Sequence, residues 1–281
     1  MDEGERLRIR VDYHIHERHS ADTAPGSTVE AYIRRAEILG LEEICFTTHL
    51  IVSGPDVATG IDPDEIPEYF REIEEAQAST SVRLRVGLEV DYFPGEEHRI
   101  ERILDEYPFD FILGALHIVE GCDLGYRHGA ERFFADRPMH KAIKTYFKWF
   151  RRAVESGLFD VMAHPDYFRR YLPSMGLREP TFEEYAPEAL EALEAMREHR
   201  IGFEINSSGY RHGIGDCYPT LEFVEAARRM GIENITIGSD SHSVEHLGGW
   251  LNHALEKLTK AGYRCLSTYR GRRRRSIDIG I

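Results

Sequence analysis

Two histidines near the start of the chain could bind one metal ion together. His14 and His16 close an apolar-alternating run that begins at Leu7, and Asp22 follows shortly afterwards. Successive side chains of a β-strand point to opposite faces, so residues two apart share a face and can reach the same ion. Such a pair by itself is more often exposed or hydrogen-bonded than metallated. The pair therefore raises a hypothesis that the rest of the chain must support.

Further candidate ligands recur along the chain, most of them where a short apolar run ends. The candidate metal ligands are His14, His16, Asp22, His49, Glu89, His117, His164, Asp240 and His242. Imidazole and carboxylate ligands without thiolate suit Zn, Mn or Fe, and a carboxylate can bridge two ions. Because these ligands exceed what one ion needs, we expect two or three divalent ions. The seven other histidines that fall on helices or loops, excluding His19, are expected to be exposed.

The candidates are separated by a regular alternation of predicted elements. Predicted strands cover residues 7–16, 41–48, 82–90, 111–116, 159–163, 201–205 and 234–237. Predicted helices cover residues 28–39, 64–78, 96–107, 139–155, 181–199, 219–230 and 249–261. The first helix has a capping-box pattern from Ser27 to Glu30 and Gly40 at its end. The long segment from His117 to Pro138 leaves a strand end, so we expect it to form a wall or lid of the site.

About seven strand–helix units predict an α/β fold with a parallel sheet and helices outside it. In a closed barrel the carboxyl ends of the strands converge on one face, whereas an open sheet would spread the candidate ligands along a line. We therefore predict one barrel domain over residues 1–281, with residues 263–269 as a closing strand. Arg272 to Arg275 are expected to form a solvated basic tail, with an anion site as the alternative.

Composition excludes several function classes. The chain of 281 residues is 42% hydrophobic and carries a formal charge of −14, which disfavours binding to nucleic acid or to an anionic membrane. The polar start lacks a signal-peptide pattern, and no apolar run approaches the ~18 residues of a membrane span. We expect a cytoplasmic protein, in which any anionic substrate must be captured locally by metal ions or a few arginines. The sequence leaves open whether it forms a homo-oligomer.

Six motifs in this order resemble the polymerase and histidinol phosphatase (PHP) superfamily. They are His14-Ile15-His16, Thr47-Thr48-His49, Gly87-Leu88-Glu89, Gly114-Ala115-Leu116-His117, Ala163-His164-Pro165 and Gly238-Ser239-Asp240-Ser241-His242. Four further stretches are most similar to the PHP-type histidinol-phosphatases. They are LGALHIVEG at residues 113–121, His164-Pro165-Asp166 with Arg169-Arg170-Tyr171, EINSSGYR at residues 204–211, and the arginine-rich end of the chain.

The resemblance implies a distorted (β/α)7 barrel with a trinuclear metal centre. By analogy, the first ion would take His14, His16, Glu89 and Asp240, the second Glu89, His117 and His164, and the third Asp22, His49 and His242. The phosphate would contact Arg170, Tyr171 and Arg211, with Arg169 as an alternative to Arg170. His19 is an alternative to Asp22. Thr48 stands where aspartate is commoner, which removes one partner for a ligand.

These residues would hydrolyse a phosphomonoester with a metal-bridging water as the nucleophile. Asp240 or His242 would help to protonate the leaving alkoxide. The first functional hypothesis is hydrolysis of L-histidinol phosphate in histidine biosynthesis. The alternatives are another small phosphomonoester, a nucleotide or phosphodiester, hydrolysis of a C–N bond, or a metal-binding domain without turnover. The last alternative predicts an incomplete ligand set, whereas this set is complete.

Overall fold

The computed structural model describes residues 10–135 and 137–279, so the start of the predicted first strand, residues 7–9, lies outside the described residues. The strands are β1 (Val11–Ile15), β2 (Glu43–Leu50), β3 (Arg83–Asp91), β4 (Phe111–Ala115), β5 (Ile118–Val119), β6 (Cys122–Asp123), β7 (Val161–Met162), β8 (Gly202–Asn206), β9 (Ile235–Gly238), β10 (Cys265–Arg270) and β11 (Arg273–Asp278). The helices are α1 (Val29–Leu39), α2 (Ile66–Gln77), α3 (Glu97–Glu106), α4 (Arg127–Ala135), α5 (Met139–Glu155), α6 (Ala186–His199), α7 (Ser208–Arg211), α8 (Leu221–Arg229) and α9 (Leu251–Lys260).

Seven strands form one parallel sheet in the order β1-β2-β3-β4-β7-β8-β9. The first strand also meets the chain just beyond the last one. The His16 amide donates to the Ser241 carbonyl at 2.9 Å, and the Ser241 amide donates to the His14 carbonyl at 3.3 Å. The sheet is therefore a nearly closed barrel, which confirms the predicted α/β architecture.

The helix ends follow local capping chemistry. At the start of α1 the Thr28 side chain accepts a hydrogen bond from the Ala31 amide, and Gly40 ends the helix with a φ of 71°. The predicted capping box at Ser27 is wrong, because the cap lies one residue later. A capping box does form at Thr181 and Glu184, where it begins a short 3₁₀ turn ahead of α6.

The segment between His117 and Pro138 has more structure than a loop. It forms the short antiparallel hairpin of β5 and β6 and then helix α4. Asp123, Gly125 and Tyr126 of this segment line the cavity described below. The prediction of a wall is thus confirmed.

The end of the chain differs from the prediction. Strand β10 does not join the barrel sheet but pairs antiparallel with β11, which covers most of the predicted tail. The connecting turn holds Gly271 and Arg272 at φ values of 55° and 57°, the geometry that makes a tight hairpin. The Arg272 guanidinium contacts Asp160 at 3.1 Å, ahead of β7. Arg273, Arg274 and Arg275 are exposed, as a solvated edge requires.

The hairpin lies against the amino-terminal end of the barrel. The Tyr269 amide donates to the Tyr13 hydroxyl at 2.8 Å, and the Ser267 hydroxyl accepts from the Ile235 amide at 3.2 Å. Ile235 begins β9, and Arg272 of the hairpin contacts Asp110 and Asp160, just ahead of β4 and β7, so the opposite end is the one left for a site. Within the described ranges, the helices are all too short or too polar to cross a membrane.

One buried lysine ties α9 to the loop that follows α7. Lys257 is 7% exposed, and its Nζ donates to the carbonyls of Cys217 at 2.7 Å and Pro219 at 2.6 Å. The same Nζ lies 2.7 Å from Asp216 Oδ1. The loop in turn pairs with β8 through Tyr218 and Asn206. Lys257 therefore holds the loop against the barrel.

We expect Lys257→Met to lower the free energy of unfolding by about 2–3 kcal/mol, because it leaves two buried carbonyls without their charged donor. Urea denaturation of the metal-free protein measures the loss. Lys260→Met changes an exposed residue of the same helix and should stay within about 0.5 kcal/mol of the unaltered protein. Equal stability of the two variants would contradict the role given to Lys257.

Candidate metal centre

The carboxyl ends of the barrel strands bring the nine predicted ligands to one place. His14 lies in β1, His49 in β2 and Glu89 in β3, while His117 and His164 follow β4 and β7. Asp240 and His242 follow β9, and Asp22 lies on the loop after β1. Parallel strands of a barrel end at the same face, so residues far apart in the chain become neighbours there.

The first group of donor atoms surrounds one oxygen of Glu89. Glu89 Oε2 lies 3.2 Å from His14 Nε2 and 3.4 Å from His16 Nε2. Asp240 Oδ1 lies 3.8 Å and 3.6 Å from the same two nitrogens. These four side chains form the grouping that the resemblance implied for the first ion.

The second group surrounds the other oxygen of Glu89. Glu89 Oε1 lies 3.0 Å from His164 Nε2 and 3.7 Å from His117 Nε2, and these nitrogens are 3.3 Å apart.

The third group surrounds Asp22. Its Oδ2 lies 3.5 Å from His49 Nε2 and 3.1 Å from His242 Nε2. The two imidazoles of the third group are 3.4 Å apart.

These spacings fit divalent cations. Donor atoms about 2.1 Å from one ion lie roughly 3.0–3.4 Å apart in octahedral or tetrahedral geometry, and most of the distances above fall near this range. His14 Nε2, His16 Nε2 and His49 Nδ1 are buried and have no hydrogen-bond partner among the described residues. Buried nitrogens without partners are costly unless a ligand satisfies them. The donor set therefore fits metal ions.

Partners on the far side of the rings orient several of these imidazoles. Glu204 Oε1 lies 2.8 Å from His14 Nδ1, Asp91 Oδ2 lies 3.1 Å from His117 Nδ1, and Ser20 Oγ lies 3.4 Å from His16 Nδ1. A carboxylate that accepts from Nδ1 leaves the Nε2 lone pair free for a metal. Sequence reasoning missed Glu204 and Asp91. The available signal was that both carboxylates lie at or next to the end of a predicted strand, because an unpaired carboxylate is rarely buried.

Thr48 contacts Ser20, one of the side chains that orient these imidazoles. Its hydroxyl is 2.6 Å from Ser20 Oγ, and the His49 amide donates to the same Ser20 oxygen at 3.0 Å. Ser20, which Thr48 contacts, therefore supports the ring of His16 and the backbone amide of His49 where an aspartate was the commoner expectation.

The electrostatics of the centre favour added positive charge. Burial acts to raise the pKa of Glu89, but the neighbouring His14 and His117 hold it well below the usual range of a carboxyl. Burial likewise opposes ionisation of Asp240, yet His14 and His16 keep its pKa well below its usual range. Burial, together with His242 and His49, lowers the pKa of His16 well below that of a free imidazole. Ionised carboxylates and a neutral imidazole are the forms that bind metals.

Local backbone strain appears at two of the ligands. His164 and Asp240 have φ values of 27° and 53°, a region that non-glycine residues rarely adopt. Such strain persists where the surrounding structure holds it, and it clusters at functional sites. Gly238 is needed for close packing here, because a Cβ at this position would clash with Glu204 Oε1 and His14 Cβ.

A cavity of about 510 Å³ opens above the donor atoms. Arg170 and Arg211 both line it. Arg211 donates to the carbonyls of Ser239 at 3.2 Å and Asp240 at 2.6 Å, which holds its guanidinium beside the donor cluster. Arg170 lies over the ring of Tyr167, 5.3 Å from its centroid, and contacts the Tyr167 hydroxyl. Two fixed cations thus face the cavity.

The other two residues considered for phosphate contact, Arg169 and Tyr171, do not line the cavity. Arg169 is buried in ion pairs with Asp166 at 2.9 Å and Glu179 at 2.5 Å, so it is turned away from the cavity. The Tyr171 hydroxyl donates to the Gly125 carbonyl at 2.9 Å, and Tyr171 does not line the cavity, whereas Tyr167 does. A phosphate contact by Tyr171 stays a prediction.

Two further histidines belong to the cavity wall. His212 and His246 were expected to be exposed, but both are half-buried and line the cavity. His212 Nδ1 lies 3.1 Å from the Tyr218 hydroxyl. Burial and the nearby Arg170 lower the pKa of His212 to about 2, so it is neutral. The expectation failed because short turns after β8 and β9 fold both residues back over the barrel mouth.

Acidic side chains also line the cavity. Asp56, Asp91 and Asp123 line it together with Tyr126. Asp123 is 9% exposed, and burial together with a hydrogen bond to Asp56 raises its pKa to about 7. The cavity thus contains both guanidinium and carboxyl groups beside the metal-binding donors.

A parallel barrel with imidazole and carboxylate donors at its mouth defines a class of metal-dependent hydrolases. The PHP domain model matches residues 12–208, and the chain belongs to this family. It is 28% identical over 269 residues to the histidinol-phosphatase of Lactococcus lactis, covering 93% of this chain and 95% of that protein. A Deinococcus radiodurans protein named probable histidinol-phosphatase is 27% identical over 249 residues, covering 88% and 92% of the two chains.

A solved structure supports the same relationship. The Lactococcus lactis histidinol phosphate phosphatase, in complex with zinc, L-histidinol and phosphate, superimposes with a TM-score of 0.79 at 25% identity. The match covers 95% of this chain and 98% of that chain. The family, the barrel and the resemblance to histidinol-phosphatases are therefore confirmed.

We expect Asp91→Asn to weaken metal binding by about 10–100-fold, because an amide nitrogen facing His117 Nδ1 would favour the tautomer with a proton on Nε2. Metal content after dialysis against graded chelator measures the change. Asp105→Asn, an exposed change on α3, serves as the matched control. Unchanged metal affinity in Asp91→Asn would exclude this orienting role.

Proposed function

We propose that this chain is a histidinol-phosphatase, a metal-dependent phosphomonoesterase that converts L-histidinol phosphate and water to L-histidinol and phosphate. The observation that carries the proposal is the cavity itself, which brings together the metal-binding donor atoms, two guanidinium groups and further carboxylates. The similarity to a histidinol-phosphatase over nearly the full length of both chains supports the choice of substrate.

The nine side chains would hold three divalent ions in the groups that the family resemblance implies. The first ion would take His14, His16, Glu89 and Asp240, the second Glu89, His117 and His164, and the third Asp22, His49 and His242. Glu89 would contribute to the first two groups, because its two oxygens face different pairs of imidazoles. When bound, such ions supply a water of lowered pKa and neutralise phosphoryl oxygens. Zn, Mn and Fe all suit this donor set.

Arg170 and Arg211 would bind the phosphate group of the substrate. Guanidinium forks match phosphate oxygens in geometry and remain charged at any physiological pH. Arg211 is positioned by two backbone carbonyls, and Arg170 is held over Tyr167. Both side chains therefore keep a fixed orientation before the substrate arrives, which lowers the entropy lost on binding. Tyr171, packed 5.0 Å from the Arg170 guanidinium, would fix Arg170 from its other side.

His242 and Asp240 are the proposed groups for the departing alkoxide. The His242 side chain is 27% exposed at the cavity floor, and its Nδ1 lies 3.2 Å from the Asp240 carbonyl oxygen. His242 could supply a proton, directly or through a water, beside the ester oxygen that leaves, while the ionised Asp240 would orient that donor as a hydrogen-bond acceptor. This position between the donor groups and the open cavity is the reason to prefer them over the deeply buried His14 and His16.

The acidic side chains of the cavity support the choice of alcohol. L-Histidinol carries an ammonium and an imidazole, and both are cations or hydrogen-bond donors near neutral pH. Asp56, on the loop after β2, and Asp123, in the hairpin, line the same cavity as the arginines. A substrate with an anionic phosphate and a cationic tail would match this polarity. A nucleotide or a phosphodiester, whose second half is neutral or anionic, would not.

We expect L-histidinol phosphate to exceed sugar phosphates, phosphoserine, mononucleotides and a diester by orders of magnitude in kcat/KM. Phosphate release by enzyme reconstituted with Mn, Zn or Fe measures this ranking. His117→Ala, which removes one proposed ligand, should abolish turnover with every substrate. If another ester ranks first, the metal chemistry survives and the named substrate fails. Absence of turnover in metal-loaded enzyme would favour a binding domain instead.

We expect Asp123→Asn to raise KM for L-histidinol phosphate by about 10-fold or more, since a charged contact contributes about 1.5–3 kcal/mol. KM for glycerol phosphate, which has no ammonium, should change by less than about 3-fold. Steady-state kinetics with both substrates separates the two effects. Glu120→Gln, an exposed change in the same hairpin, is the control. An equal rise in KM for both substrates would argue against recognition of the cationic tail.

A further inference from the structure

A fourth group of metal-ligating side chains lies outside the nine-residue centre. One carboxylate oxygen of Glu17, one ring nitrogen of His19 and one carboxylate oxygen of Glu72 lie within 4.8 Å of one another. Glu17 and His19 follow β1, and Glu72 lies on α2. His19 was the alternative to Asp22, but the structure turns it away from the centre, with Nε2 3.3 Å from Glu72 Oε2.

One member of this group is a buried carboxylate with an unsatisfied oxygen. Glu17 is 0% exposed, and its Oε1 has no hydrogen-bond partner within residues 10–135 and 137–279. Its Oε2 accepts from the His19 amide at 3.1 Å. A buried carboxylate oxygen of this kind is costly unless a proton or a cation neutralises the carboxylate. A bound cation would remove this cost.

The nearest side-chain cation is engaged by the other carboxylate. Arg18 Nη2 lies 2.8 Å from Glu72 Oε2, and Arg18 Nε lies 3.2 Å from Glu72 Oε1. The Arg18 side chain is 47% exposed and also contacts Glu68. It therefore forms its direct ion pairs with Glu72 and Glu68 near the surface and attracts the buried Glu17 only over a longer distance. A carboxylate can ligate an ion while it accepts from an arginine.

We propose that Glu17, His19 and Glu72 bind a further divalent cation, separate from the ions of the catalytic centre. One imidazole and two carboxylates suit Zn, Mn or Fe, with water completing the coordination. The side chain of His19 is 5% exposed and its ring packs 5.7 Å from that of Tyr69, so the imidazole is already held in position.

The place of the site in the fold indicates its role. The ion would join the loop after β1 to helix α2. The same loop carries Asp22, and it is otherwise held by backbone bonds from Ser20 to Glu17 and from Ala21 to Thr59, both at 2.9 Å. A cation at the root of the loop would therefore help to keep Asp22 at the third donor group without taking part in the chemistry.

Crystals of the full chain equilibrated with millimolar Mn or Zn test the site directly. Anomalous difference maps should show a peak between Glu17, His19 and Glu72 in addition to those of the catalytic centre. Metal analysis of the dialysed protein should show one ion fewer per chain in Glu72→Gln and in His19→Ala than in the unaltered protein. Glu75→Gln, an exposed change on the same helix, should keep the full number.

The outcomes are separable from those that test the catalytic proposal, because none of them depends on turnover. Peaks confined to the catalytic centre of the unaltered protein would overturn the proposed site. A peak that persists at full height in both variants would overturn the assignment of its ligands. Glu72→Gln preserves side-chain volume, so its metal count remains informative even if His19→Ala disturbs the loop.

Discussion

The Glu89 carboxylate is the constraint on which the site depends. It is 1% exposed and lies among imidazoles from four strand ends, with one oxygen facing His14 and His16 and the other facing His117 and His164. A carboxylate can be buried this deeply only with cationic or hydrogen-bonding partners on both oxygens. The barrel supplies those partners from both sides of β3, and the two oxygens are what allow one residue to serve two donor groups.

Closure of the barrel is what brings the last ligands into range. Asp12, fully buried in β1, accepts hydrogen bonds from the Ser239 amide at 2.9 Å and the Gly248 amide at 3.0 Å. These bonds fasten the chain after β9 to the first strand, directly ahead of Asp240 and His242. The positions of Asp240 and His242 at the open end of the barrel therefore depend on a polar contact between the first and last strands of the sheet. The β10–β11 hairpin covers the other end and leaves only one face open.

The same geometry that gathers the metal donors also brings charged side chains to the cavity. Turns after β7 and β8 bring Arg170 and Arg211, and the segment after β4 brings Asp123. A chain with a formal charge of −14 repels anions overall, so capture of a phosphate must rely on this local arrangement. These charged residues lie on the loops and turns that follow the strands, whereas His14, His49 and Glu89 lie within strands.

The sequence by itself determined the elements and the ligand types. Strand and helix periodicity predicted the barrel. Residues such as His14, His16 and Glu89 were identifiable as candidate ligands because polar groups at the ends of apolar runs are buried only when they have partners. The division of the ligands among three ions came from family resemblance and stays a prediction. Only the tertiary structure decided which neighbours support the rings, because Glu204 and Asp91 act through contacts between strands that are distant in sequence. It also decided that His19 faces α2, that His212 lines the cavity, and that the final arginines form a hairpin strand. These outcomes depend on loop and turn conformations, whose backbone angles are set by packing against the whole barrel and carry no periodic signal in the chain.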